Sequence, residues 1–78
     1  MTDYTPVDCA LYSEYEVAIL QHKRMRLSWR QADGQLHLEV LRPVDLQTRG
    51  HAEFLLAKSL DGKRLELRLD QIIKAELL

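Results

Sequence analysis

The chain has 78 residues, a formal net charge of −1 at pH 7, and hydrophobic and charged fractions of 46% and 29%. These proportions are near the average for globular proteins and argue against an intrinsically disordered or collagen-like chain. The single cysteine cannot form an internal disulfide, and no apolar run is long enough to span a membrane as a helix.

The first predicted element is a helix over about residues 9–22. Asp8 is the expected N-cap residue, although Ser13 and Glu16 also have the spacing of a capping box, which leaves a later helix start open. One stripe at helical spacing is apolar and should face the core. It consists of Leu11, Tyr15, Ala18 and Ile19. Glu14 and Glu16 lie off this stripe and should face water.

After the helix, the sequence pattern changes to the two-residue period of half-buried strands. Five strands are predicted, over about residues 24–31, 35–41, 52–58, 63–69 and 72–77. Gly34 and Gly62, each preceded by Asp, predict two hairpin turns. Pro43 should end or bend the second strand, and residues 47–50 resemble a loop. A helix is the alternative for the last segment, but a strand is favoured because it would help cover an open sheet edge.

This order of elements predicts an α+β fold, mostly β, in which the N-terminal helix caps a small Sm-like or SH3-like barrel of about five antiparallel strands. The apolar positions of the strands would line the barrel interior. They are Met25, Leu27, Trp29, Leu36, Leu38, Val40, Phe54, Leu56, Leu65, Leu67 and Leu69.

No pattern of catalytic residues is present. The histidines, His22, His37 and His51, lie in different segments and lack metal-ligand spacing. Cys9 is expected to be a small buried hydrophobic residue, and the chain has no glycine-rich phosphate loop. We therefore expect a non-enzymatic protein without a metal or cofactor, forming a single domain over residues 1–78 in the reducing cytoplasm.

One candidate binding surface is a basic strand. Arg24, Arg26 and Arg30 stand at even spacing on the polar side of the first strand, and small barrels often bind single-stranded RNA along such a side. No aromatic side chain is interleaved with these arginines, so an ordinary solvated strand face is the simpler interpretation.

The other candidate surface is acidic. Residues 1–20 hold four acids and no base, together with Tyr4, Tyr12 and Tyr15. Acids near a helix N-terminus are stabilising there by about 0.3–1 kcal/mol, which is sufficient to explain them. Carboxylates and aromatic rings can also imitate nucleic acid toward a basic protein site. Composition leaves both interpretations open.

Two sequence blocks favour the second interpretation. Residues 4–9 read YTPVDC and residues 66–72 read ELRLDQI, with Tyr12, Glu16 and Ala18 between them. In order and separation these blocks resemble the Rof family, small bacterial inhibitors of the transcription terminator Rho. The resemblance spans nearly the whole chain, while residues 33–60 match mainly in pattern.

The resemblance implies a monomeric Sm-like barrel with an N-terminal helix. It also implies that the chain binds the RNA-binding N-terminal region of Rho, competes with RNA at the primary site and inhibits transcription termination. Neither DNA nor a membrane is an expected partner. Arg68 and Asp70 match the second block, where a structural role is expected.

The expected contacts lie on the helix. Glu16 matches an acid of the family and is the strongest candidate. Ser13 stands where another acid is expected, and Glu14, one position along, is the candidate substitute. Tyr12, an aromatic residue of the same acidic segment, is a further candidate contact. Asp8 stands where a neutral Asn can occur, so capping is its expected main role. The alternative function is an Sm-like RNA-binding module that uses the three arginines of the first strand.

Overall fold

The computed structural model describes residues 9–78 of the chain. Its elements in chain order are α1 (Cys9–Leu20), β1 (Met25–Arg30), β2 (Leu36–Arg49), β3 (Ala52–Lys58), β4 (Arg64–Arg68), a single 3₁₀ turn (Leu69–Gln71) and β5 (Ile72–Leu77). One helix followed by five strands confirms the predicted α+β, mostly β class. The last segment is a strand, as favoured. The helix ends at Leu20 rather than near residue 22.

The five strands form one antiparallel sheet in the order β4-β3-β2-β1-β5. Among the described residues no ladder joins β4 to β5, so the sheet is not closed into the barrel that the sequence predicted. β4 has only five residues, and the 3₁₀ turn at Leu69–Gln71 occupies the chain that a closing ladder would use. The result is a bent sheet with two edges.

Strand β2 is bent rather than ended by its proline. It runs for 14 residues, and its pairing with β3 shifts register between Pro43 and Asp45. Such a bulge bends a strand and increases its twist. The first half of β2 therefore pairs with β1 and the second half with β3. Residues 47–49 belong to this strand, which corrects the predicted loop.

The hairpin between β1 and β2 has the predicted glycine turn. The Gly34 amide donates to the Gln31 carbonyl at 2.9 Å, and the Gln31 amide donates to the Gln35 carbonyl at 2.8 Å. Gly34 has a φ of 91°, which disfavours side chains with a Cβ atom. This pattern is a type I turn followed by a one-residue bulge, and it fixes the register of the two strands.

That register places part of the predicted interior outside. Leu38 lies opposite Ser28 and Leu36 lies opposite Arg30, so both leucines share the polar face of β1. Leu36 is 62% exposed and Leu38 is 67% exposed, while Val40 is half-buried. The predicted interior positions of β2 were wrong because the turn, and not the alternation, determined which residues face each other.

Strand β3 differs from the prediction in the same way. Leu55 and Ala57 are buried, while Phe54 and Leu56 are half-buried on the other face. Residues 54–57 are all apolar, so their alternation carries no information about the buried face. The bulge in β2 sets that face instead.

The core lies between the concave side of the sheet and α1. Its buried residues are Tyr15, Ala18, Met25, Leu27, Trp29, Leu41, Leu55, Ala57, Leu67 and Leu69. The predicted helix stripe is confirmed, with Leu11 and Ile19 partly buried against this cluster. No helix within residues 9–78 is long and apolar enough to cross a membrane.

Candidate functional site

One face of α1 forms a cleft with the start of β3. Cys9, Tyr12, Ser13 and Glu16 are three or four residues apart, so they project from the same side of the helix. Together with Glu53 of β3 they line a cleft of about 400 Å³, which we call the acidic cleft.

Tyr12 joins the two carboxylates of the acidic cleft. Its side chain interacts with Glu53 of β3 and with the nearby charge of Glu16 on its own helix. The pKa of Tyr12 is raised above its ordinary value of 10.0, first by burial and then by the charges of Glu53 and Glu16. Tyr12 is therefore a neutral aromatic side chain between two carboxylates that come from different elements.

No cation of the described residues pairs with the carboxylates of the acidic cleft. Within residues 9–78, neither Glu16 nor Glu53 forms an ion pair with a lysine or arginine, and the neighbouring Glu14 forms none either. Glu16 is exposed and Glu53 is half-buried. The cleft thus presents unneutralised negative charge beside a half-buried aromatic ring, an arrangement suited to a basic partner.

The structure brings together three of the predicted site residues. Tyr12, Ser13 and Glu16 all line the acidic cleft, whereas Glu14 is exposed but is not among its lining residues. One helical step rotates a side chain by about 100°, which accounts for the different direction of Glu14. Asp8 and its predicted capping role lie outside the described residues.

The sequence prediction missed Glu53. Thirty-seven positions separate it from Glu16, and only the packing of α1 on the sheet brings the two into one cleft. An acid at the start of an otherwise apolar strand was the available signal. Cys9 is exposed on the rim of the cleft, so its expected burial was wrong.

The three arginines predicted to form a basic strand face, two of them in β1 and Arg24 just before it, lie in different surroundings. Arg26 forms an ion pair with Glu76 at 3.7 Å, and Arg30 donates to the Gly34 carbonyl at 3.3 Å. Arg24 lines a separate groove with residues of other strands. The three side chains therefore do not act as one unpaired stripe.

The second resembling block lies at the 3₁₀ turn. Arg68 Nε and Asp70 Oδ1 form an ion pair at 3.0 Å, with both side chains largely buried. This pair spans the junction between β4 and the turn. Within residues 9–78, no group of three histidine, cysteine or acidic residues is arranged to hold a metal ion.

No family model matches the chain, and no curated protein matches it. Among solved structures, the chain is similar to the proteasome accessory factor B/C (PafBC) of Arthrobacter aurescens, with a TM-score of 0.79 and 15% sequence identity. The match covers 97% of this chain and 12% of PafBC, so the chain spans a small part of that protein's length. At this identity the likeness shows the fold alone: a helix packed on a bent five-stranded antiparallel sheet.

Proposed function

We propose that this protein is a cytoplasmic, monomeric inhibitor of Rho-dependent transcription termination that binds the RNA-binding N-terminal region of Rho through the acidic cleft. One observation carries the proposal: Glu16 and Glu53 flank Tyr12 in an open cleft, and neither carboxylate is neutralised by a cation of the described residues. The resemblance of residues 4–9 and 66–72 to the Rof family is the reason for proposing Rho as the target.

The inhibition follows because the carboxylates of the acidic cleft and the phosphates of RNA compete for the same basic groups of Rho. A site for single-stranded RNA offers basic groups to phosphates and aromatic groups to bases. Glu16 takes the place of a phosphate as the principal contact, and Glu53 supplies a second carboxylate beside Tyr12. Ser13 adds a hydroxyl on the same rim. Phosphate contacts supply much of the affinity for nucleic acid, so occupying them prevents RNA loading.

The test is a binding titration of Rho with charge-reversal variants. Glu16→Lys should weaken binding at least about tenfold, equivalent to about 1.4 kcal/mol, because it places a cation against a basic site. Glu39→Lys is the matched control, since Glu39 is also exposed but lies on β2, away from the cleft. The control should bind Rho as the wild type does. Equal binding by all three proteins would refute the acidic cleft as the contact surface.

The salt dependence of the same titration gives a second readout. Charges are screened over about 10 Å at 0.1 M ionic strength, so the affinity should fall as salt is added. Affinity that is independent of salt would contradict a contact based on carboxylates.

A further inference from the structure

A second groove lies at the opposite end of β3 from the acidic cleft. It has a volume of about 810 Å³, and its lining includes Lys23, Arg24, Arg42 and Lys58 but no aspartate or glutamate. We call it the basic groove. Glu53 and Lys58 are five residues apart on one strand, which separates the two sites by about 17 Å at about 3.3 Å per residue.

The cations of the basic groove are brought side by side by sheet pairing. Arg42 of β2 lies directly opposite Lys58 of β3. The ladder between β1 and β2 begins with Met25 opposite Leu41, so the preceding Arg24 lies next to Arg42. Like charges directly opposite one another on neighbouring strands are destabilising. An anion bound across the row formed by Arg24, Arg42 and Lys58 would remove this electrostatic repulsion.

Asp61 lies between two lining residues, Leu60 and Gly62, and Leu78 lines the groove itself, but no ion pair joins a described carboxylate to the groove's cations. The ion pairs within residues 9–78 involve Arg26, Arg49, Arg68 and Lys74. None of the four cations of the basic groove forms one. The adjacent cleft on the β4 side does contain Asp45 and Glu66, but Glu66 is paired with Arg49 and neither acid lines the basic groove. Positive charge is thus concentrated in one concave surface.

We propose that the basic groove binds the phosphodiester backbone of single-stranded RNA, independently of the acidic cleft. The row runs from the residue before β1 across β2 and β3, and with strands about 4.8 Å apart its flexible side chains can contact several phosphates of one strand rather than a single anion. An acidic peptide is a poorer fit, because the row crosses the strands and offers no free sheet edge for main-chain pairing. The groove has no phenylalanine, tyrosine or tryptophan in its lining, so binding depends little on base sequence.

The test is a fluorescence anisotropy titration of a labelled oligouridylate of about 15 nucleotides, a length within the range that small barrels cover. The wild type should bind at low salt. With about three phosphates neutralised, the logarithm of the affinity should fall with the logarithm of salt at a slope of about −2. The double variant R42Q/K58Q should bind at least about tenfold more weakly. Circular dichroism confirms that the variant is folded.

The matched control is R26Q/R30Q, which removes the same charge from two arginines of β1 outside the groove and should lose less than about threefold. Three results would each overturn the proposal. The first is no binding by the wild type at low salt, and the second is an equal loss of affinity in the two double variants. The third is that poly-glutamate displaces the labelled oligonucleotide as effectively as unlabelled oligouridylate does. The variant Glu16→Lys should bind the oligonucleotide at least as well as the wild type. Failure of Rho binding therefore leaves this proposal standing, and failure of RNA binding leaves the Rho proposal standing.

Discussion

Tyr12 on α1 lies against Glu53 on β3, so one side-chain interaction both connects the helix to the sheet and shapes the acidic cleft. Burial and the charges of Glu53 and Glu16 favour the neutral form of Tyr12 between the two carboxylates. The same residues therefore affect both the stability of the fold and the shape of the proposed Rho-binding cleft, and unfolding and binding experiments measure the two effects separately.

Removing the polar group of either residue should destabilise the fold modestly. Tyr12→Phe and Glu53→Gln should each lower the free energy of unfolding by about 1 kcal/mol, the usual size of a net polar side-chain interaction. Urea denaturation of the two single variants and the double variant gives the coupling energy. A coupling near zero would show that the Tyr12–Glu53 interaction does not stabilise the protein.

The raised pKa of Tyr12 predicts a loss of stability at alkaline pH. Because the folded state holds the proton more tightly than the unfolded state, its contribution is fully present below pH 10 and is lost as pH rises through the raised value. The stability difference between the wild type and Tyr12→Phe should therefore shrink above pH 10. Urea midpoints of both proteins between pH 8 and 11 test this, and parallel curves throughout would contradict it.

The strand registers make a sharp prediction about two leucines. Leu55 is fully buried, so Leu55→Ala should lower the free energy of unfolding by about 2–5 kcal/mol. Leu38 is 67% exposed, and Leu38→Ala should change it by less than about 0.5 kcal/mol. Thermal or urea unfolding distinguishes them. If Leu38→Ala lowered the free energy of unfolding more than Leu55→Ala, the strand faces predicted from apolar alternation would be right and the observed register would be refuted.

The end of α1 offers a stabilising substitution. His22 has a φ of 55°, and the Lys23 amide donates to the Ala18 carbonyl at 2.9 Å, the bond of a glycine-type helix cap. His22→Gly relieves a backbone cost of about 1–2 kcal/mol but adds freedom to the unfolded chain. We expect a net gain of about 0.5 kcal/mol, visible as a higher urea midpoint. His22→Ala, which keeps the Cβ atom, is the control and should give no such gain.

The sequence was informative where a residue pattern acts locally. The helix stripe around Tyr15, the glycine turns and the last strand follow from spacing and turn chemistry. The buried faces of β2 and β3 do not, because a turn at Gly34 and a bulge at Pro43 set which residues face each other. Shifting the register by one residue exchanges the two faces of a strand.

The acidic cleft was predictable only in part. Glu16 and Tyr12 lie on one helix, so their proximity follows from helical spacing. Glu53 joins them through tertiary packing, which no local pattern records. The same holds for the basic groove, since Arg42 and Lys58 are neighbours only because β2 and β3 pair. Residues from different elements form both sites.

The most direct test of the central proposal is capture of purified Rho by the immobilised protein at low salt, with and without excess poly(C). The account predicts that Rho is captured and that poly(C) abolishes the capture, because both ligands need the primary RNA site. Failure to capture Rho at low salt, or capture that poly(C) leaves undiminished, would contradict it.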